Sequence, residues 1–65
     1  MINIKNKERE ECSVLLVDIN GYICYEAYIQ PNDNLELDIR NFLSGIYTLI
    51  FKTTHTSFAQ QIVKY

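Results

Sequence analysis

Leu35-Glu36-Leu37-Asp38-Ile39-Arg40-Asn41-Phe42-Leu43-Ser44-Gly45-Ile46-Tyr47-Thr48-Leu49-Ile50-Phe51 decides the fold. Leu35, Leu37 and Ile39 alternate with Glu36, Asp38 and Arg40, which is the period of a half-buried strand. Residues 41–44 break the pattern and Gly45 is the hinge. Residues 46–52 follow as a second strand, rich in β-branched and aromatic side chains. Strand, compact corner, strand is the seed of a small β-sandwich.

Working outward, residues 13–19 form a dense apolar run, as expected of a central strand. Asp18-Ile19-Asn20-Gly21 then carries the strongest turn signal in the chain, because Asn-Gly tolerates the positive φ of a tight hairpin. Residues 22–29 return as a strand with Ile23, Tyr25, Ala27 and Ile29 on one face and Tyr22, Cys24, Glu26 and Tyr28 on the other. Gln30-Pro31-Asn32-Asp33-Asn34 reads as a loop. Residues 53–56 make a second hairpin loop, and residues 57–64 a closing strand with Phe58 and Ile62 on one face. Residues 2–4 alternate as a short edge strand, joined on by a polar connection at 5–11 with one helical turn at most. The pattern predicts an all-β, small immunoglobulin-like antiparallel β-sandwich of about six strands, one domain over residues 1–65. Its expected core is Val14, Leu16, Ile23 and Tyr25, with Leu35, Leu37, Ile39 and Phe42 from the central stretch. Tyr47, Leu49, Phe51, Phe58 and Ile62 complete it. A one-residue slip in residues 14–19 would substitute Leu15, Val17 and Ile19.

With 65 residues, the chain hides only about 60% of its unfolded surface, so its core is marginal unless an edge is covered or a staple added. Eight acids against six bases give a net charge of −2. The one charged cluster, residues 5–11, is mixed in sign, which disfavours nucleic acid as a partner. No apolar run approaches the roughly 20 residues of a membrane-spanning helix, and Met1-Ile2-Asn3-Ile4-Lys5 lacks the pattern of a secretory leader.

Cys12 and Cys24 are the only cysteines. With a turn at Asn20-Gly21, Cys24 lies opposite Leu16 or Val17. That leaves it roughly 13–17 Å from Cys12 at strand rise, against about 7 Å for a disulfide. Both are expected as free thiols packed like small apolar side chains. His55 lies alone in a polar loop and reads as solvated rather than catalytic or metal-binding. Asp18 and Asn20, or Asn32, Asp33 and Asn34, offer calcium-type oxygens, but turn chemistry explains them. Glu36 and Asp38 share an exposed face without a concave site for acid–base work. Neither cysteine has a partner base near it in sequence. No catalytic residue, cofactor or metal is predicted. Tyr22, Tyr28 and Tyr65 fall on outer faces, where aromatics suit a protein partner.

The order of motifs adds to this. An apolar strand ends in Asp18-x-x-Gly21. Leu37-Asp38-Ile39-Arg40-Asn41-Phe42-x-x-Gly45-Ile46-Tyr47-Thr48-Leu49 follows a variable loop, and the chain closes on Ile62-Val63-Lys64. Over about residues 13–64 this resembles the C-terminal sorting domain of type IX secretion system cargo proteins of the Bacteroidota. It is equally similar to a sibling family of small secreted Bacteroides domains of unknown function. The family's Asn-Pro element before the first strand is missing, as is any cargo domain, so the resemblance fits either an excised tail or a stand-alone relative. In the residues' own terms, Gly21 and Gly45 serve turns, and Tyr47 buries its ring while sending its hydroxyl to a backbone partner. Asp18, Phe42 and Lys64 complete the motif set.

The resemblance implies a non-enzymatic module recognised as a folded C-terminal domain by an outer-membrane translocon. Its partners are then proteins, either secretion machinery or an upstream cargo domain. Its location is the periplasm, the outer-membrane surface or the exterior. The alternative is a stand-alone secreted interaction or adhesion domain. A small enzyme or nucleotide-binding barrel has no nucleophile–base set, metal cluster or phosphate loop to support it.

Overall fold

The computed structural model describes residues 1–65. It contains six strands and no helix: β1 (Ile2–Lys5), β2 (Cys12–Asp18), β3 (Ile23–Ile29), β4 (Asn34–Leu37), β5 (Gly45–Lys52) and β6 (Ser57–Lys64). They form a four-stranded sheet in the order β3-β2-β5-β6 and a two-stranded sheet of β1 and β4. Every ladder is antiparallel. The result is a small β-sandwich-like fold, four strands beneath two. The glycine-hinged corner carries the chain from β4 in the smaller sheet to β5 in the larger one.

The apolar run of residues 13–19 is the central strand β2, and the register settles which face turns inward. Val14 and Leu16 are buried at 0% and 1% exposure, while Ile19 is 71% exposed. Ile4 and Leu37 descend from the smaller sheet to meet Val14, Leu16, Ile29, Tyr47 and Leu49 in one core cluster. Ile39 and Phe42 pack against the cluster although β4 ends at Leu37. The strand stops because Asp38 turns its carboxylate onto the Arg40 backbone N–H at 3.0 Å. A loop closed by the Phe42 N–H on the Ile39 carbonyl follows.

Two expected core residues are not in the core. Ile23 is 60% exposed. Leu16 pairs with Tyr25 but Val17 pairs with Ile23, so Cys24 is an extra, bulged residue. A bulge shifts the alternation by one, which sends Ile23 to the face of Val17. It also leaves Cys24 exposed, against the expectation of a packed thiol, whereas Cys12 is buried as expected. Phe58 is 54% exposed for a different reason. It opposes Phe51, which opposes Val14, so it points to the inner face. The smaller sheet has only two strands and does not reach across the edge strand β6.

The single buried polar side chain is Asn6, 2% exposed. Its amide nitrogen donates to the Glu10 carbonyl at 2.9 Å and the Ile29 carbonyl at 2.8 Å. Its side-chain oxygen accepts from the Glu8 N–H at 2.9 Å. Its backbone N–H donates to the Asp33 carbonyl and its carbonyl accepts from the Asn32 N–H. The last contact seats a turn in which Asn32 takes φ 63° after Pro31, the geometry of a type II turn. One asparagine thus ties the β1–β2 loop to the end of β3 and to the β3–β4 turn.

Replacing Asn6 by Ala strands the buried Ile29 carbonyl, at a cost of about 1–3 kcal/mol when left unpaired, and frees the part-buried Glu10 carbonyl and Glu8 N–H. The N6A domain should unfold at markedly lower urea, with its melting point down by about 10 °C or more on the usual scaling for domains this small. A melt within a degree or two of wild type would show that water replaces the clamp.

A candidate recognition surface at one end of the sandwich

The motif residues gather at the end of the sandwich where β2 stops, β5 starts and β6 finishes. Register sets this: Asp18 opposes Tyr47, Tyr47 opposes Ile62, and Gly45 opposes Lys64. The polar side chains among them, Asp18, Tyr47 and Lys64, are spent on loop backbone. The Asp18 carboxylate accepts from the N–H groups of Asn20 and Tyr22, both at 2.9 Å. The Gly21 N–H donates to the Asp18 carbonyl, and the Asp18 N–H to the Tyr22 carbonyl. Gly21 has φ 90°, and Asn20 is not among the positive-φ residues. The turn therefore needs one left-handed residue rather than two, as in a three-residue hairpin loop closed by a glycine. A Cβ on Gly21 would meet nothing within 4 Å, so backbone conformation, and not space, demands glycine there.

The second loop is fixed in the same manner. The Tyr47 hydroxyl donates to the Leu43 carbonyl at 2.5 Å. The ring of Phe42 lies 5.8 Å from that of Tyr47, tilted by 44°. Lys64 Nζ donates to the Phe42 carbonyl at 3.0 Å and the Arg40 carbonyl at 3.4 Å. Gly45, at φ 155°, swings the chain into β5. Asp38 and Arg40 form an exposed pair at 2.7 Å. Arg40 holds the Asp38 carboxyl at about 2, first through the hydrogen bonds of its guanidinium and then through its backbone N–H. Beside that exposed pair, these loops show large apolar side chains to solvent: Ile19 and Tyr22 at 71% exposure, Leu43 at 84% and Tyr65 at 98%.

The other candidates lie elsewhere. Tyr28 is exposed at 61%, on the same outer face of the four-stranded sheet as Ile23 but opposite Ser13, at the other end of β3. At the opposite end, His55 makes a contact that sequence did not suggest. Glu10 accepts from the Thr54 N–H at 3.0 Å and the Thr54 hydroxyl at 2.6 Å, and lies 3.2 Å from His55 Nδ1. This ties the β1–β2 loop to the β5–β6 hairpin and lowers the Glu10 pKa to about 2, through the Thr54 hydroxyl first and His55 second. Asn6 and Glu10 were missed because they sit in a mixed polar run with no apolar neighbour to mark them. No group of three or more His, Cys, Asp or Glu side chains gathers anywhere, and no helix is long and apolar enough to cross a membrane.

A family model described as a secretion system C-terminal sorting domain matches residues 1–65. No curated protein and no solved structure gives a significant match.

Three outcomes follow from this geometry. Tyr47→Phe removes one loop-capping bond and Lys64→Met removes two, and each bond lost should cost about 0.5–1.5 kcal/mol in urea unfolding, without changing the strand content seen by circular dichroism. Glu10 and Asp38 are both depressed to about 2 from 4.5 and 3.8. Their stabilisation is complete above those ordinary values and is lost as pH falls through about 2, so the melting point should drop across that window. Thr54→Val should raise the Glu10 titration midpoint more than His55→Ala does, read by carboxyl NMR. The reverse order would mean that the ion pair, not the hydroxyl, holds the charge.

Proposed function

The chain belongs to the family of secretion system C-terminal sorting domains, and from that premise we propose that its machinery reads the end of the sandwich described above. As a member of that family it is a non-catalytic sorting module of type IX secretion, recognised by the secretion machinery and serving secreted or cell-surface proteins. The proposal concerns how. Asp18, Gly21, Phe42, Gly45, Tyr47 and Lys64 position two loops and the end of β6, and those segments hold Ile19, Tyr22, Leu43 and Tyr65 out to a protein partner at the outer membrane. One observation carries this: four large apolar side chains stand exposed where the polar motif groups are consumed in backbone caps. Exposed aromatic and aliphatic groups on rigid loops are the anchors that protein interfaces favour. An upstream cargo domain has a separate surface available, the outer face carrying Ile23, Tyr28, Ile46 and Val63, all exposed.

The test is a fusion of residues 1–65 to the C-terminus of an inert periplasmic reporter in a type IX-competent host. The reporter should leave the periplasm. Ile19→Ser with Leu43→Ser should reduce export at least tenfold, about 1.4 kcal/mol of recognition, with an unchanged melting point. Ile23→Ser with Tyr28→Ser should not. Wild-type export of the I19S/L43S fusion would move recognition to another surface. Retention of the intact, folded wild-type fusion would sink the reading altogether.

A further inference from the structure

The inner face of β6 is uncovered, and the free edge of β1 runs beside it. We infer that the groove between them takes one extended strand of a protein partner, carrying apolar side chains at alternate positions and acidic residues at the end that meets Lys5 and Lys52. The inference is independent of the end surface above and rests on other residues.

Three observations converge. First, β1 pairs only with β4, so one edge of β1 presents N–H and C=O groups without a strand partner, a template for strand addition. Second, the floor is apolar on either side of one polar residue, Gln60, which opposes Leu49 between Phe58 and Ile62. The rings of Phe51 and Phe58 stack at 5.0 Å with 15° between their planes, and Phe58 remains 54% exposed although it points to the inner face. Ile62 continues the floor, and Ile2 and Ile4 flank it. A third strand on the smaller sheet would cover Phe58 and turn four-over-two into four-over-three. Third, the groove is charged at one end. A cavity of about 280 Å³ there is lined by Lys5, Lys7 and Lys52 against one acid, Glu8. Three cations facing a single carboxylate select an occupant with acids at that end. Antiparallel addition, the arrangement of every ladder in the fold, places the occupant's N-terminus beside Lys5.

The probe is a capped synthetic heptapeptide, Asp-Asp-Val-Thr-Val-Thr-Val, with a Lys-Lys version as its counterpart. Titrated into the ¹⁵N-labelled 65-residue domain, the acidic peptide should shift the amides of Asn3, Lys5 and Phe58 saturably. Phe58→Ser should weaken it by about tenfold or more, as for an interface anchor. Lys5→Glu with Lys52→Glu, both at exposed positions, should reverse the preference to the Lys-Lys peptide. Circular dichroism confirms that each variant is folded. Equal binding of both peptides to wild type, shifts confined to the β3 edge, or no saturable shift overturns the inference. So does sedimentation showing the groove filled by a second copy of the chain.

Discussion

A pair of strands cannot stand alone in water, and in this protein one such pair must roof a four-stranded sheet. That constraint organises the molecule. A two-stranded ribbon has too little apolar contact to be stable by itself, so β1 and β4 depend on what lies beneath them. Ile4 and Leu37 drop into the core against Val14, Leu16 and Leu49, which anchors the centre of the ribbon. Burial alone does not fix its angle or register, since hydrophobic contact is non-directional. Direction comes from polar side chains at the two ends. At one end Asn6 holds the loop after β1 to Ile29 and to the turn before β4. At the other, Tyr47 and Lys64 hold the loop after β4.

The two ends use one device, a side chain satisfying loop carbonyls that no ladder reaches, but they differ in what they leave exposed. Around Asn6 the neighbours are charged: Lys7, Glu8, Arg9 and Glu10. Around Tyr47 and Lys64 the surface carries Ile19, Leu43 and Tyr65 beside one ion pair, Asp38 with Arg40, whose charges offset each other. A charged rim keeps water and discourages contact, whereas a rigid apolar rim gains free energy when a partner removes it from water. The motif side chains are therefore best understood as positioning groups. Their hydrogen bonds are directed inward to backbone, which leaves the exposed residues around them, outside the motif, to carry the recognition proposed above.

Unbroken alternation made Leu35 and Leu37 legible, whereas the dense apolar run of residues 14–19 left two faces open until pairing with β5 turned Val14 and Leu16 inward. Alternation failed where geometry departs from period two. The bulge at Cys24 leaves no mark in composition, so Ile23 looked like the continuation of Tyr25 and Ile29. Phe58 was placed on the correct face and still misjudged, because exposure there depends on how wide the covering sheet is, a property of the assembled fold and not of any one strand. Ile39 was read as strand, and the Asp38 side chain ends the strand before it. Asp18, Gly21 and Gly45 were legible as turn chemistry, since backbone demands are local. Asn6 was not. A buried asparagine and a solvated one look alike in a polar run until the carbonyls around it are known.

The end surface proposed for recognition exists only in the folded chain. Its loops come from residues 18–22 and 38–44 and from the end of β6, and ladders such as Asp18 with Tyr47 and Gly45 with Lys64 bring them together. No contiguous peptide reproduces that arrangement. Loop closures of this length carry an entropy cost that native contacts repay only late in assembly, so the end surface forms when the domain is complete. A machinery that binds this end thereby tests for folding as it reads identity. The narrow roof has a consequence of its own. A sandwich closed on all sides would be more stable, yet it would offer neither an open β1 edge nor an uncovered Phe58. Marginal closure and availability for recognition are two expressions of one shortage, a second sheet that is two strands wide.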